Sequence, residues 1–243
     1  MKKLFTVIIA FVMGLFLLLV LAGCHRAGSS MTGNGKIVDQ TIKATDFTSI
    51  NIRGAFNAEI LQSDNFAVII STDENLLNRI IVSTEGETLN FKIEAPGNFF
   101  PTSLKIRIML PRIYGLTLSE EARAAISGFQ STFNFRLNMD SGSELTGDLE
   151  AGICDFTISG ASQLSLKGKA LELKLLASGK SKMDLEQFVV NKARVTFKEA
   201  SEATMNINGR IDINLADASK IYYIGEPVIY DANISGGSIM KHK

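Results

Sequence analysis

The sequence predicts an all-β chain wound as a right-handed parallel β-helix, a three-sided solenoid of about 19 residues per coil with an irregular N-terminal cap. Three observations predict it. Short anchors recur along the second half: SGSEL (141–145), GASQL (160–164), GKSKM (179–183), EASEA (199–203), DASKI (217–221) and GGSIM (236–240). Their serines, Ser143, Ser162, Ser181, Ser201, Ser219 and Ser238, stand 19, 19, 20, 18 and 19 residues apart, and EEARA (120–124) is a looser earlier copy centred on Ala122. Self-similarity at a fixed period of this length marks a solenoid. The second observation is a set of apolar columns at four, six and eight residues before each anchor. They hold Leu118, Met139, Ile158, Ala177, Phe197, Leu215 and Ile234; then Leu116, Leu137, Phe156, Leu175, Val195, Ile213 and Ala232; then Tyr114, Phe135, Cys154, Leu173, Ala193, Ile211 and Tyr230. The third is the polar file between them, Asp155, Lys174, Arg194, Asp212 and Asp231. Alternation of this kind is a strand with one buried face, and here the strand returns once per coil.

After each anchor the alternation continues. Leu145, Leu164, Met183, Ala203 and Ile221 point inward, followed by Leu166, Leu185, Met205 and Tyr223, while Glu144, Gln163, Lys182, Glu202 and Lys220 form an outward file. Coils stacked in register would make Lys182–Glu202 and Glu202–Lys220 neighbours of opposite sign. Such exposed pairs contribute a few tenths of a kcal/mol each, roughly, and guide register more than stability. The apolar columns contribute about 1.5–3 kcal/mol per large buried side chain. The L-x-x-L-x-L-x-x-N frame of a leucine-rich repeat is absent, so a β-helix of short strands and turns accounts for the period.

The chain begins with a targeting pattern. Lys2 and Lys3 precede an uncharged apolar run over residues 4–21, and Leu21-Ala22-Gly23-Cys24 resembles the lipobox of bacterial lipoproteins. That resemblance implies a signal peptide over 1–23 and a Cys24 thiol that receives diacylglycerol, anchoring the chain without spanning the membrane. A plain transmembrane helix is the alternative, since the run is long enough. Residues 24–35 form a flexible polar tether, and a single domain runs over 36–243, with regular coils from about Tyr114.

Without Lys2 and Lys3 the chain carries 23 basic and 25 acidic residues, a balance that gives no reason to expect nucleic acid as a partner. Once Cys24 is lipidated, Cys154 has no partner for an intrachain disulfide, and its place in an apolar column makes it an inert hydrophobe. Between Lys36 and Gly97 the pattern is less regular. Ile50, Ile52, Phe56, Ala58 and Ile60 nevertheless match the columns of the later repeat, which makes this region an early coil. DENLLNRI (73–80) suggests a short helical turn capped by Asp73, and Ile80–Ser83 with Thr88–Ile93 suggest a hairpin across Glu85-Gly86. These pieces are expected to cover the first coil, whose unpaired edge would otherwise recruit another strand.

GNGKIV (33–38), DFTSINIRGAFNAEI (46–60), STDENLLNRI (71–80) and the later serine-centred coils resemble the head GIN domain family of bacterial auto-transporter adhesins. The similarity covers nearly all of the chain beyond the signal. It implies a secreted or envelope-anchored β-helix and carries over no catalytic residues.

β-Helices can host polysaccharide lyases and hydrolases, though fold alone does not establish activity. Glycoside cleavage needs two facing carboxylates. Here Asp148, Asp155, Asp184, Asp212 and Asp217 are dispersed among Lys and Arg, as on a solvated face, and the like-signed neighbours Asp212 and Asp231 are the best candidate for an acid pair or cation site. His25 and His242 lie in the tether and at the far end, so no catalytic residue, metal ligand or cofactor is assigned. For binding, the loop EAPGNFFPTS (94–103) sets Phe99 and Phe100 between two prolines as a contact patch, unless they fold back over the core; Tyr222 is a second, isolated candidate. The expectation is a lipoprotein of the outer membrane or cell surface that presents a β-helical face to a protein or glycan. A carbohydrate-active enzyme and a structural envelope protein partnering a membrane complex are the alternatives.

Overall fold

A computed structural model describes residues 30–94 and 98–243; the signal peptide, Cys24 and His25 lie outside them. The first strands are β1 (Met31–Thr32), β2 (Ile37–Ile42), β3 (Ser49–Arg53), β4 (Asn57–Gln62) and β5 (Ala67–Asp73). After a 3-10 turn at Leu77–Arg79 come β6 (Ile80–Glu85), β7 (Thr88–Ile93), β8 (Phe99–Phe100) and β9 (Leu104–Leu110). The regular part follows as β10 (Gly115–Ser119), β11 (Arg123–Gln130), β12 (Phe135–Met139), β13 (Glu144–Ile158), β14 (Gln163–Ala177), β15 (Lys182–Phe197), β16 (Glu202–Leu215), β17 (Lys220–Ile224), β18 (Val228–Ile234) and β19 (Ile239–His242). Each strand from β10 onward pairs in parallel with its counterpart one circuit away, giving a β-solenoid of about six turns.

The columns stack as the alternation requires. Leu116, Leu137, Phe156, Leu175, Val195 and Ile213 are successive register partners, and all are buried. Leu118, Met139, Ile158, Ala177, Phe197 and Leu215 do the same. The column eight residues before the anchor holds from Phe135 to Ile211 but fails at both ends. Tyr114 stands half-buried just before β10, where Ile113 takes the interior place. In β18 a bulge sets Ile229 opposite Ile211, so that Tyr230 turns out to solvent, 69% exposed. A bulge inserts one residue and flips the next side chain, which period counting does not anticipate. The outward residues Lys182, Glu202 and Lys220 are register partners as expected, yet no ion pair closes among them. Arg123 and Glu144, at the start of that file, do meet, at 3.6 Å.

The anchors mark a sharp corner. The two residues before each anchor serine have positive φ, as in Gly160 (64°) with Ala161 (63°) and Glu199 (55°) with Ala200 (57°). Left-handed backbone costs a non-glycine residue about 1–2 kcal/mol. Backbone hydrogen bonds between coils offset it: Ala161 N–H donates to the Gly179 carbonyl at 2.7 Å, Lys180 to Glu199 at 2.8 Å and Ala200 to Asp217 at 2.8 Å. The serine then turns inward. Ser143, Ser162 and Ser181 hydroxyls donate to the carbonyls of Asp140, Ser159 and Ser178 at 2.6, 2.7 and 2.8 Å, closing the turn from inside.

The region before β10 forms the first coil and its cover. Ile50 and Ile52 of β3 lie opposite Leu116 and Leu118, and Ala58 and Ile60 of β4 lie opposite Ala124 and Ile126. β7 and β9 stack in parallel on the other side of β3 and β4, although they follow them in the chain. Antiparallel strands finish the end: β6 on β7 as the expected hairpin, β5 on β9, and β2 on β5. The 3-10 turn is preceded by Leu76 and has no side-chain cap. Asp73 serves elsewhere. Its buried carboxylate accepts hydrogen bonds from Gly35 N–H and Thr102 N–H, both at 2.7 Å. Residues 31–35, expected to belong to the tether, are thereby bound: β1 pairs with β8, and Gly33 N–H reaches the Phe100 carbonyl at 2.9 Å.

Candidate functional site

Most of the described solenoid surface is a charge-balanced ladder with shallow hollows of about 250–340 Å³. Arg136 approaches Asp155 at 4.0 Å, Lys192 binds Glu172 at 3.1 Å and Arg107 binds Glu59 at 2.7 Å. Asp212 is held by a forked Arg210 guanidinium, with contacts of 3.0–3.1 Å, and by Arg194 at 3.8 Å. The expectation of an acid pair at Asp212 and Asp231 fails for that reason. Their backbones are register neighbours, but one carboxylate already carries two cations. Among the described residues no group of three or more His, Cys, Asp and Glu converges as a metal site.

A groove of about 750 Å³ interrupts this ladder. It owes its existence to one long coil: Ala122 and Ser143 are 21 residues apart, where later anchors are 18–20 apart. The surplus is taken up in two steps, a register shift in β11 between Ile126 and Phe129 and a second before Phe135, which pairs with Cys154. Gly128 turns there with φ 83°, its N–H bound to the Asp148 carboxylate at 3.0 Å. Ser131 N–H then reaches the Glu150 carbonyl at 3.0 Å, and Gly152 N–H the Phe133 carbonyl at 2.9 Å, which fixes the loop over the next coil. Phe133 is thrown outward and left 51% exposed.

The Phe133 ring is the focal group. Tyr114 meets it edge-on at 5.5 Å, and the Arg112 guanidinium lies 5.6 Å from its centroid. Arg112 forms no salt bridge among the described residues. Around the ring the groove offers Leu171, 62% exposed, with the amides of Gln62, Gln130 and Asn191. Its one acid, Glu150, is paired with Lys169 at 3.2 Å. An exposed aromatic face flanked by amides and a guanidinium recognises ligands by stacking and hydrogen bonding.

The residues singled out in the sequence lie elsewhere. Phe99 and Phe100 form β8 beside β1; Phe99 packs on the core and Phe100 faces solvent, 56% exposed. Tyr222 is half-buried between Thr204 and Lys241. Cys154 is buried among the columns, and burial pushes its thiol up to about 12. His242 meets Tyr223 edge-on, ring centroids 5.0 Å apart. Sequence reasoning missed Phe133; the available signal was the two-residue surplus of that coil together with three phenylalanines in FQSTFNF.

Comparison with known proteins gives one family and a set of folds. The model of the family described as "Putative auto-transporter adhesin, head GIN domain" matches residues 46–227. Among solved structures, a putative adhesin from Bacteroides fragilis is 19% identical with a TM-score of 0.78, covering 88% of this chain and 99% of that one. One from Parabacteroides merdae is 15% identical with a TM-score of 0.75, covering 88% and 99%. A structure described as a putative lipid binding protein from Parabacteroides distasonis is 18% identical with a TM-score of 0.73, covering 88% and 100%. No curated protein matches.

Proposed function

The chain belongs to the head GIN domain family, and from that premise we propose that it is a lipid-anchored envelope protein that acts by holding a glycan rather than by catalysis. Cys24 carries the anchor, and the Phe133 groove is the contact site. The observation that carries this reading is the groove's composition among the described residues: one exposed aromatic face, three amides and an Arg112 without an acid partner, against a single carboxylate paired with Lys169. Sugar rings stack on an aromatic face through their C–H surfaces while their hydroxyls exchange hydrogen bonds with amides.

A glycan panel presented to the purified protein tests it. Binding that drops on Phe133→Ala, with no new reducing or unsaturated ends, supports the reading; such ends would establish an enzyme. Cys24→Ala should release the protein from membranes, and a protein that stays anchored removes the lipoprotein assignment. A second reading rests on Leu171, the apolar side of the same groove, and on the neighbour described as a putative lipid binding protein. Under it, a long-chain fatty acid displaces bound glycan, or binds where no glycan does.

A further inference from the structure

Arginine charge on this surface is mostly matched within the chain. Eight arginines fall among the described residues, and six have a carboxylate within 4.0 Å: Arg53, Arg107, Arg123, Arg136, Arg194 and Arg210. Arg79, on the 3-10 turn of the cap, and Arg112 have none among the described residues. Of these two, Arg112 alone lines the Phe133 groove. Lys169 and Glu150 are the other charged side chains of its lining, and they pair with each other at 3.2 Å. Arg112 therefore leaves the groove one positive charge in excess. The neighbouring Asp148 does not line it and accepts the Gly128 N–H at 3.0 Å.

We propose that the groove selects an acidic glycan, and that Arg112 takes the carboxylate of a uronic acid whose ring lies on Phe133. This rests on the glycan reading of the groove and names the class of sugar. Arg112 is held in place for the task. Pro111 before it restricts the backbone, Ile113 after it is buried, and the guanidinium stands 5.6 Å from the Phe133 centroid. A uronic acid offers a C–H face to the aromatic ring and, at the edge of its own ring, a planar anion that matches the guanidinium fork.

The exchange of partners favours binding. An exposed cation–π contact is weak beside a bidentate guanidinium–carboxylate pair, so Arg112 loses little by turning from the ring to the ligand. Among the described residues no acid of the chain has to be displaced from it first. A fatty acid would bring the same carboxylate but no hydroxyl groups, and would leave the amides of Gln62, Gln130 and Asn191 without partners; a sugar acid supplies both.

Calorimetric titration of the full-length protein in detergent tests the proposal, with oligomers of galacturonate, glucuronate and mannuronate each set beside its carboxyl-reduced, neutral form. One of the acidic oligomers should bind about tenfold or more tightly than its reduced form, an advantage that shrinks as salt is raised. Arg112→Gln should bring that acidic oligomer to the level of its reduced form, and Arg112→Lys, which keeps the charge without the fork, should retain part of the preference. Arg112 is exposed, and an unchanged circular dichroism spectrum and melting temperature separate lost binding from lost folding. Equal binding of acidic and reduced oligomers, or a preference that survives Arg112→Gln, overturns the acid assignment and leaves the glycan reading standing. Binding of a long-chain fatty acid where no acidic oligomer binds gives the carboxylate to a lipid and overturns it as well. A panel in which no oligomer of either form binds removes this inference and the glycan reading together.

Discussion

At the residue scale, the anchor serines divide into two groups that the repeat alone does not separate. Ser162 donates its hydroxyl to the Ser159 carbonyl, while the buried hydroxyls of Ser201 and Ser219 find no partner. Ala122 occupies the same place in an earlier coil, so the site accepts a bare methyl group. Ser162→Ala should therefore cost about 1 kcal/mol, and Ser201→Ala should be neutral or stabilising, because a net hydrogen bond is worth about that much and a buried unpaired hydroxyl costs more. Urea unfolding midpoints of the two variants check the difference. Asp73 makes a pH-dependent tie. Burial of its carboxyl favours the neutral form, but hydrogen bonds from Gly35, Thr102 and Ser103 outweigh it and hold the pKa below the ordinary carboxylate value. A lowered folded-state pKa contributes stability that is complete above the ordinary value and is lost as pH falls from there through the lowered value. Acidification, or Asp73→Asn at neutral pH, should lower the exchange protection factors, taken relative to the intrinsic rates at each pH, at Gly33, Gly35 and Thr102. Protection there that is indifferent to both changes would remove the role given to this carboxylate.

At the element scale, the long strands bend where glycine permits. Gly168 sits in β14 with φ 116°, and a Cβ there would strike the Leu149 carbonyl of the coil below. Gly168→Ala combines an unfavourable backbone region with a clash between stacked coils, so it should destabilise by more than about 1 kcal/mol. Chemical denaturation of that variant against Ala170→Gly, two residues on and without positive φ, separates the local conflict from a general loss of strand propensity.

At the scale of the whole molecule, each coil contacts only its neighbours, so stability is a chain of nearest-neighbour terms rather than one global core. The N-terminal end is closed by antiparallel strands, while β18 is exposed along its whole length. Native-state hydrogen exchange should show β18 and β19 opening first and protection rising toward β13 and β14. Uniform exchange across the coils would mean that the solenoid unfolds as one unit. The same construction explains the surface: register stacking lines up Glu with Lys and Asp with Arg, leaving few unsatisfied groups until a coil of different length breaks the pattern.

The amino-acid sequence alone determined the period, the strand alternation and the columns from Phe135 to Ile211, because stacking coils repeat one local rule and a local rule is legible in one dimension. It also placed Ile50, Ile52, Ala58 and Ile60 in the first coil for the same reason. Three things were decided only in three dimensions. The order of stacking at the N-terminal end was one, since β7 and β9 cover strands that precede them. The bulge that ejects Tyr230 was another, because one inserted residue offsets the earlier side chains of β18 by one face, while Asp231 to Ile234 keep the register of the repeat. The groove was the third: two surplus residues between Ala122 and Ser143 leave no trace in the alternation, yet against the rigid neighbouring coils they have nowhere to go but outward, and they carry Phe133 with them.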